Sequence, residues 1–289
     1  MSLLKVIILA IVQGLAELLP VSSSAHVVVA EKLLGLDPAA PPMTLLLVML
    51  HTGTMFAVIV YFWRQWRETY FKSAHVFRTV AVQLIVATAM TVIVGEAVIN
   101  LLERTVLSDF PGADIENLFG RLDLIAPALA AAGLLILIAG VFERRKSGQP
   151  PTATTELTVT RAGIIGLIQG FCLPFRGFSR SGATISTGML LGVTKARAEA
   201  FSFALAVVLT PPVVFREVKR LVQAQHDHGN SDLTSVASLS VLGALIAFAA
   251  GLLALKWLSR WLEGGRWYLF GIYCLVASVA VMLLHHFGF

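Results

Sequence analysis

Residues 13–26 read Gln-Gly-Leu-Ala-Glu-Leu-Leu-Pro-Val-Ser-Ser-Ser-Ala-His, and this polar break inside an apolar run decides the fold. The apolar runs on either side, residues 3–19 and 22–36, are too short to cross a bilayer, which takes about 20 helical residues. Pro20 is expected to end the first helix, and Ser22 is a good N-cap for a second one. The segment therefore predicts a pair of short re-entrant helices.

A second polar break repeats this order later in the chain. Gln169-Gly170 corresponds to Gln13-Gly14, and residues 174–184 read Pro-Phe-Arg-Gly-Phe-Ser-Arg-Ser-Gly-Ala-Thr. This break separates short apolar runs at residues 162–174 and 183–193. Interrupted apolar segments at corresponding positions of two halves indicate a binding site near the middle of the bilayer.

Six other apolar runs are long enough to cross a membrane. They lie near residues 43–63, 79–102, 122–142, 199–216, 237–257 and 267–287. Hydrophobic residues make up 57% of the chain and charged residues 13%, whereas about 25% of the residues of a soluble domain are charged. We therefore predict an all-α polytopic membrane protein with six spanning helices and two re-entrant helix pairs.

The repeated order also predicts an inverted-topology repeat of two halves. We expect a first half at 1–142 with its re-entrant pair at 3–36, a linker at 143–161, and a second half at 162–289 with its pair at 162–193.

The net charge of +5 is better explained by membrane orientation than by binding of nucleic acid. Lysine and arginine are frequent in the connectors 64–78 and 143–161, and such residues favour the cytoplasmic side. The linker is thus predicted to be cytoplasmic. The first re-entrant pair then enters from the opposite face, which predicts a site that faces the periplasm.

The first break brings together residue types that suit phosphate chemistry. Gln13 and Glu17 lie four residues apart and so share a helix face. The serines that follow stand at a helix N-terminus, whose free N–H groups and positive dipole end favour an anion. His26 lies one turn further on. A structural pair of Glu17 and His26 is the alternative, although ionisable residues in membrane segments are usually functional.

The second break predicts a phosphate cradle, because Arg176 and Arg180 stand among hydroxyls and glycines. A cytoplasmic connector that merely follows the positive-inside rule is the alternative. Two placements are open for Arg176: it faces the cavity, or it faces outward as a membrane anchor, which we favour. The segment His51-Thr52-Gly53-Thr54 is expected to pack helices, since Gly and Thr favour close contact, with a role in lining the cavity as the alternative.

These motifs resemble those of the undecaprenyl-diphosphate phosphatase family, membrane enzymes linked to bacitracin resistance. The first is similar to the family's Glu/Gln-x-x-x-Glu pattern at Gln13 and Glu17, followed by Pro20-Val21-Ser22-Ser23 and His26. The second is similar to Pro-Gly-x-Ser-Arg-Ser-x-x-Thr at residues 177–184. Gln13 replaces the commoner glutamate, and Arg176 stands where the family usually has proline.

The resemblance implies hydrolysis of undecaprenyl diphosphate to undecaprenyl phosphate and inorganic phosphate, which recycles the lipid carrier for bacterial cell-wall synthesis. Arg180 would clamp the phosphoryl group, and the attacking group would be Ser23, His26 or a water, with His26 as base. Glu17, with Gln13, would hold a divalent cation, Mg²⁺ or Ca²⁺, or orient His26. The expected phosphate-binding residues are Ser22, Ser24, Ser179, Ser181 and Thr184, and the supporting residues are Gln13, Gln169 and Arg176.

The expected partners are the lipid substrate and the bilayer of the bacterial inner membrane, without nucleic acid, and a homodimer is left open. The rival function is a transporter or flippase for a polyprenyl phosphate lipid, which needs an anion site but no nucleophile or base. A membrane phosphatase of the acid-phosphatase type is a second rival. It is disfavoured because no histidine follows Ser179-Arg180 at the spacing which that type requires.

Overall fold

The computed structural model describes residues 2–37, 41–105, 118–146, 156–228, 233–262 and 266–288. Within these ranges the chain forms α-helices joined by short turns, and no strand occurs in them. The middle of the predicted linker, residues 147–155, lies outside the described part of the chain.

Ten helices follow one another in the described ranges. They are α1 (Leu3–Glu17), α2 (Ser23–Leu33), α3 (Pro41–Thr69), α4 (Ala74–Thr105), α5 (Leu122–Lys146), α6 (Val159–Cys172), α7 (Arg180–Leu190), α8 (Lys195–His228), α9 (Leu233–Leu262) and α10 (Tyr268–His286).

Six of these helices are long and apolar enough to cross a membrane, which confirms the predicted polytopic all-α class. The candidate spans are Met43–Thr69, Ala74–Thr105, Leu122–Arg145, Lys195–Arg216, Val236–Lys256 and Tyr268–His286. Each coincides with one predicted span to within a few residues. Helix α8 continues through Pro211 and Pro212, as membrane helices can when neighbouring groups satisfy the freed backbone.

The four short helices form two pairs of matching length. Helices α1 and α2 have 15 and 11 residues, and α6 and α7 have 14 and 11. The two helices of each pair are separated by a turn at the predicted break. Within each pair the two helices contact each other, but the first helix of each pair packs mainly on a long helix of the other half: α1 on α9, and α6 on α4.

Glycine residues allow α1 and α6 to pack closely on the long helices of the other half. A Cβ atom on Gly14 would lie 2.6 Å from Ala250 Cβ on α9, and one on Gly170 would lie 2.6 Å from the carbonyl oxygen of Thr91 on α4. Small residues let membrane helices approach closely. The two Gln-Gly pairs seen in the sequence therefore share a packing role.

Helix α5 holds both breaks in place. Its buried side chains Ile125, Leu129 and Ile136 belong to one apolar cluster with Val21 in the first break and Ile185 on α7. Both breaks are thus fixed against the same rigid helix, which brings their polar residues together.

Candidate active site

The carboxylate of Glu17 is the centre around which the two breaks meet. It ends α1 and is 9% exposed. Arg180 Nη2 donates to its Oε1 atom at 2.8 Å, and Gln13 Nε2 donates to its Oε2 atom at 2.8 Å. Because Arg180 comes from the second break, a single carboxylate joins the two halves of the chain.

The serine of the first break donates to the same carboxylate. The hydroxyl of Ser23 hydrogen-bonds Glu17 Oε2, and Ser23 is the first residue of α2. A hydroxyl held at a helix N-terminus next to a carboxylate has a proton acceptor at hand and lies at the positive end of the helix dipole. This arrangement is typical of an activated nucleophile.

The turn that presents Ser23 is strained. Ser22 has φ 65° and ψ 84°, a left-handed conformation that disfavours residues with a Cβ. Ser22 stands at the N-cap position, as predicted, but its side chain caps no backbone N–H; its hydroxyl instead lies 3.3 Å from that of Ser24. The predicted capping bond is therefore wrong, because the left-handed backbone turns the side chain away.

Arg180 takes the corresponding position in the second break. It is the first residue of α7, and Ser179 before it caps that helix by accepting a bond from the Gly182 N–H at 3.1 Å. Gly177 has φ 105°, and a Cβ there would lie 2.5 Å from the carbonyl oxygen of Ile125. The glycine thus lets the loop pass close to α5 and deliver Arg180.

These groups face a cavity of about 300 Å³ between the two breaks. Its walls come from both breaks, from α3 and from the middle of α8. Its polar lining residues are Glu17, Ser22, Ser23, Ser24, His51, Gln169, Arg176, Ser179, Arg180, Ser181 and Thr210. The apolar remainder, including Leu47, Phe119 and Val213, suits a ligand with a charged head and an apolar body.

His51 lines the cavity, although the sequence predicted mainly a role in helix packing. It lies on α3 and its Nε2 atom is 3.3 Å from Glu17 Oε2, so it is a member of the cavity and not mainly a helix-packing residue. The available signal was an ionisable side chain inside a spanning run. Gly53 beside it does have the predicted packing role, since a Cβ there would lie 2.0 Å from the Ala244 carbonyl oxygen.

His26 does not reach this cavity. Its Nδ1 atom lies 2.8 Å from the Ser22 carbonyl oxygen and its Nε2 atom 2.7 Å from the Tyr273 hydroxyl. Its ring also stacks on Tyr273 and lines a second, largely apolar cavity of about 450 Å³ beside α10. The imidazole therefore supports the carbonyl of the strained turn instead of standing beside the Ser23 hydroxyl, and the geometry gives no support to His26 as base or nucleophile.

Arg176 lies on the cavity wall, the placement that we did not favour from the sequence. Its guanidinium carbon is 4.2 Å from the centre of the Phe119 ring, within the range of a cation–π contact. The structure therefore favours the cavity-facing placement of Arg176 over the outward anchor.

Of the other predicted site residues, some line the cavity and others are buried behind it. Gln169 lines the cavity and donates to Thr91 Oγ1 at 3.2 Å. Gln13 is fully buried behind Glu17. Thr184 is also fully buried and bonds Ser202 Oγ at 2.6 Å, so it ties α7 to α8 instead of facing the cavity.

The residues present do not fit a divalent cation held by the protein alone. The described part of the chain contains no group of three or more His, Cys, Asp or Glu residues placed to hold a metal. Gln13 Oε1, which has no hydrogen-bond partner among the described residues, is a suitable oxygen ligand. However, Glu17 is the one carboxylate among the described residues that line the cavity, both its oxygens are bonded, and Arg180 would repel a cation.

The chain is similar to known proteins over nearly its whole length. The family model described as bacitracin resistance protein BacA matches residues 6–280. Undecaprenyl-diphosphatase 2 of Acinetobacter baylyi is 54% identical over 287 residues, covering 98% of both chains. The undecaprenyl-diphosphatase of Rhodopirellula baltica is 33% identical, again over 98% of both chains, and that of Gluconacetobacter diazotrophicus is 35% identical over 99% of this chain and 98% of its own.

Proposed function

The chain belongs to the bacitracin resistance protein BacA family, and from this premise we propose that it is an integral membrane phosphatase. It hydrolyses undecaprenyl diphosphate to undecaprenyl phosphate and inorganic phosphate, and so recycles the lipid carrier of cell-wall synthesis. The observation that carries the proposal is the Ser23 hydroxyl and the Arg180 guanidinium on the two oxygens of Glu17, at the wall of a membrane-embedded cavity.

In the proposed reaction Ser23 is the nucleophile and Glu17 its base. Ser23 Oγ attacks the terminal phosphorus, and its proton passes to Glu17 Oε2, the atom to which it already donates. The bond from phosphorus to the bridging oxygen breaks, and its electron pair leaves with undecaprenyl phosphate. Glu17 gives its proton to the departing undecaprenyl phosphate. Water then attacks the phosphorus of the phosphoserine and passes a proton to Glu17. The bond from phosphorus to Ser23 Oγ breaks, and Glu17 returns this proton to Ser23 Oγ as inorganic phosphate is released.

Arg180 neutralises charge on the phosphoryl group as the bonds change. Its guanidinium is 26% exposed, whereas Glu17 behind it is 9% exposed, so an anion in the cavity meets the arginine first. Positioning and electrostatic stabilisation dominate the catalysis of phosphoryl transfer. Ser22, Ser24, Ser179 and Ser181 line the same cavity and are proposed to bind the remaining phosphate oxygens.

The rival function, lipid transport without chemistry, needs an anion site but no proton acceptor on a serine. The Ser23 to Glu17 hydrogen bond is therefore the feature that favours the enzyme. The predicted divalent cation, Mg²⁺ or Ca²⁺, stays a prediction, and no step of the proposed reaction passes through it. A homodimer also stays a prediction, for which the mass of the purified protein in detergent is the test.

We further propose that the two short helix pairs are re-entrant and that the halves form an inverted repeat in the bacterial inner membrane. Matching helix lengths and the exchanged packing of α1 on α9 and α6 on α4 support this arrangement. The cavity is lined by the first part of α3, by Phe119 before α5, and by residues 206–213 of α8, toward the end of its candidate span Lys195–Arg216. In the predicted topology these parts lie near the periplasmic face.

The experiment that tests the function is phosphate release by the purified protein in detergent, with undecaprenyl diphosphate as substrate. We expect turnover by the wild type and a loss of at least about 10³-fold in the Ser23→Ala variant, because a nucleophile is removed. Parallel assays with added Mg²⁺, added Ca²⁺ or a chelator test the cation. Substrate binding without any phosphate release would favour the transporter.

A further inference from the structure

His51 places an imidazole beside the Glu17 carboxylate. Its Nδ1 atom lies 2.8 Å from the carbonyl oxygen of Leu47 one turn earlier on α3. A carbonyl oxygen only accepts hydrogen bonds, so Nδ1 carries a hydrogen. The Nε2 atom faces Glu17 Oε2 at 3.3 Å, and a carboxylate is likewise an acceptor. An imidazole that carries hydrogens on both nitrogens would pair with the Glu17 carboxylate in this position.

With the imidazole in this form, Glu17 lies between two cations that approach different oxygen atoms, Arg180 at Oε1 and His51 at Oε2. The side chains of His51 and Arg180 are 32% and 26% exposed, and that of Glu17 is 9% exposed. Both cations thus stand nearer the cavity space than the carboxylate that pairs with them. A phosphate group that enters the cavity can replace the Glu17 carboxylate as the partner of Arg180 and His51.

This exchange would also make Glu17 a better base. A carboxylate paired with two cations is a weak proton acceptor, because both cations stabilise its charged form. Once phosphate oxygens bind the cations, Glu17 keeps only the hydrogen bonds from Gln13 and Ser23. The carboxylate then gains basicity at the moment when the Ser23 proton must leave.

We propose that His51 is a further catalytic residue, whose charged imidazole binds a non-bridging oxygen of the phosphoryl group that is transferred. The inference rests on the proposed phosphatase function and deepens it. With Gln13 in place of a second carboxylate, the site supplies positive charge to the phosphate from its own side chains, Arg180 and His51. A helix-packing residue would not need to face the cavity.

The test compares His51→Gln with wild type and uses His75→Gln as a matched control. His75 is exposed near the start of α4 and is not among the described residues that line the cavity. Steady-state phosphate release from undecaprenyl diphosphate gives kcat and KM. Inhibition by orthovanadate, which mimics the transferring phosphoryl group, gives a separate measure of binding. Thermal unfolding in detergent shows whether each variant is folded.

We expect His51→Gln to lose about 10²-fold in kcat, as for removal of one donor to a developing charge, and to weaken inhibition by orthovanadate by about tenfold or more. His75→Gln should match wild type. A folded His51→Gln variant that keeps kcat within about threefold, or one that loses turnover with unchanged orthovanadate inhibition, overturns the role. If the glutamine variant does not fold, His51→Asn is read in the same way. If the wild type itself releases no phosphate, the proposed phosphatase function is contradicted. This outcome is distinct from a failure of the His51 role, which requires an active wild type.

Discussion

Two arginines share one break, yet their contacts differ. Arg180 is bonded to the Glu17 carboxylate at 2.8 Å, whereas the guanidinium of Arg176 lies over the ring of Phe119. A guanidinium that binds the transferring group strengthens its contacts in the transition state, while one that binds the far end of the substrate acts equally before and during the reaction. The two residues should therefore affect different kinetic constants.

We expect Arg180→Ala to lower kcat by about 10²-fold or more. Arg176→Ala should keep kcat within about tenfold and act mostly by raising KM, as for uniform binding energy. Steady-state kinetics on the two variants provides the measurement. Equally large losses of kcat in both variants would show that Arg176 also binds the transferring phosphoryl group.

For His26 the sequence predicted the position of the imidazole but not its contacts. The sequence placed an imidazole one turn beyond the serines, which is correct, and assigned it to the chemistry. The structure turns it toward Tyr273 and the carbonyl of Ser22. The contact with Tyr273 joins residues 247 positions apart, and no short-range pattern in the sequence indicates such a contact.

His26→Ala should therefore lower kcat by about tenfold, far less than loss of the nucleophile, because the strained Ser22 turn loses one support while Ser23 and Glu17 remain. Kinetics and thermal unfolding should be measured together, and His26→Asn, which can still donate to a carbonyl, should recover part of the loss. A loss in His26→Ala as large as that in Ser23→Ala would return His26 to the chemistry.

At the scale of elements, the two broken pairs use equivalent positions for different chemistry. Ser23 and Arg180 are each the first residue of an 11-residue helix that follows the break. One half thus supplies the hydroxyl and the other the guanidinium, and both reach the same Glu17 side chain. An arrangement of two similar halves can build an asymmetric site in this way.

The elements were predictable from sequence because their signals are local. Apolar runs of spanning length identified all six long helices, and Pro20 together with the serine cluster marked the end of α1 and the start of α2. The position of His51 beside Glu17 was not predictable, because it depends on how α3 packs against α1. Contacts between distant segments leave no periodic signal in a single sequence.

Close helix packing gives a prediction with an internal control on α6. A Cβ on Gly166 would lie 2.2 Å from the carbonyl oxygen of Ala87, whereas one on Gly163 would meet only side-chain atoms, the nearest at 3.5 Å. We expect Gly166→Ala to destabilise the protein by about 1–3 kcal/mol through overpacking, and Gly163→Ala to be neutral. Thermal unfolding in detergent compares the two variants. Equal behaviour would contradict the close contact of α6 with α4.

For the whole molecule, the side on which the cavity opens decides which pool of lipid the enzyme serves. The cavity is lined near the connectors that precede α3 and α5 and by residues 206–213 of α8, toward the end of the candidate span Lys195–Arg216, and the basic connector 64–78 lies at the opposite ends of α3 and α4. Basic connectors favour the cytoplasm. The cavity is therefore expected to receive undecaprenyl diphosphate from the periplasmic side.

Labelling of single cysteines in intact cells tests this orientation. Both native cysteines are buried, but Cys172 lines the same cavity as Ser24, so labelling is measured in a Cys172→Ala background. We expect Ser24→Cys, on the cavity wall, to be labelled from outside, and Lys72→Cys, exposed in the basic connector, to be labelled only after the cells are opened. Orthovanadate should slow the reaction at position 24, because phosphate mimics fill the same cavity, and should leave position 72 unaffected. The reverse pattern, with Lys72→Cys labelled from outside and Ser24→Cys only from within, would place the cavity on the cytoplasmic side and require the enzyme to act on lipid from the inner leaflet.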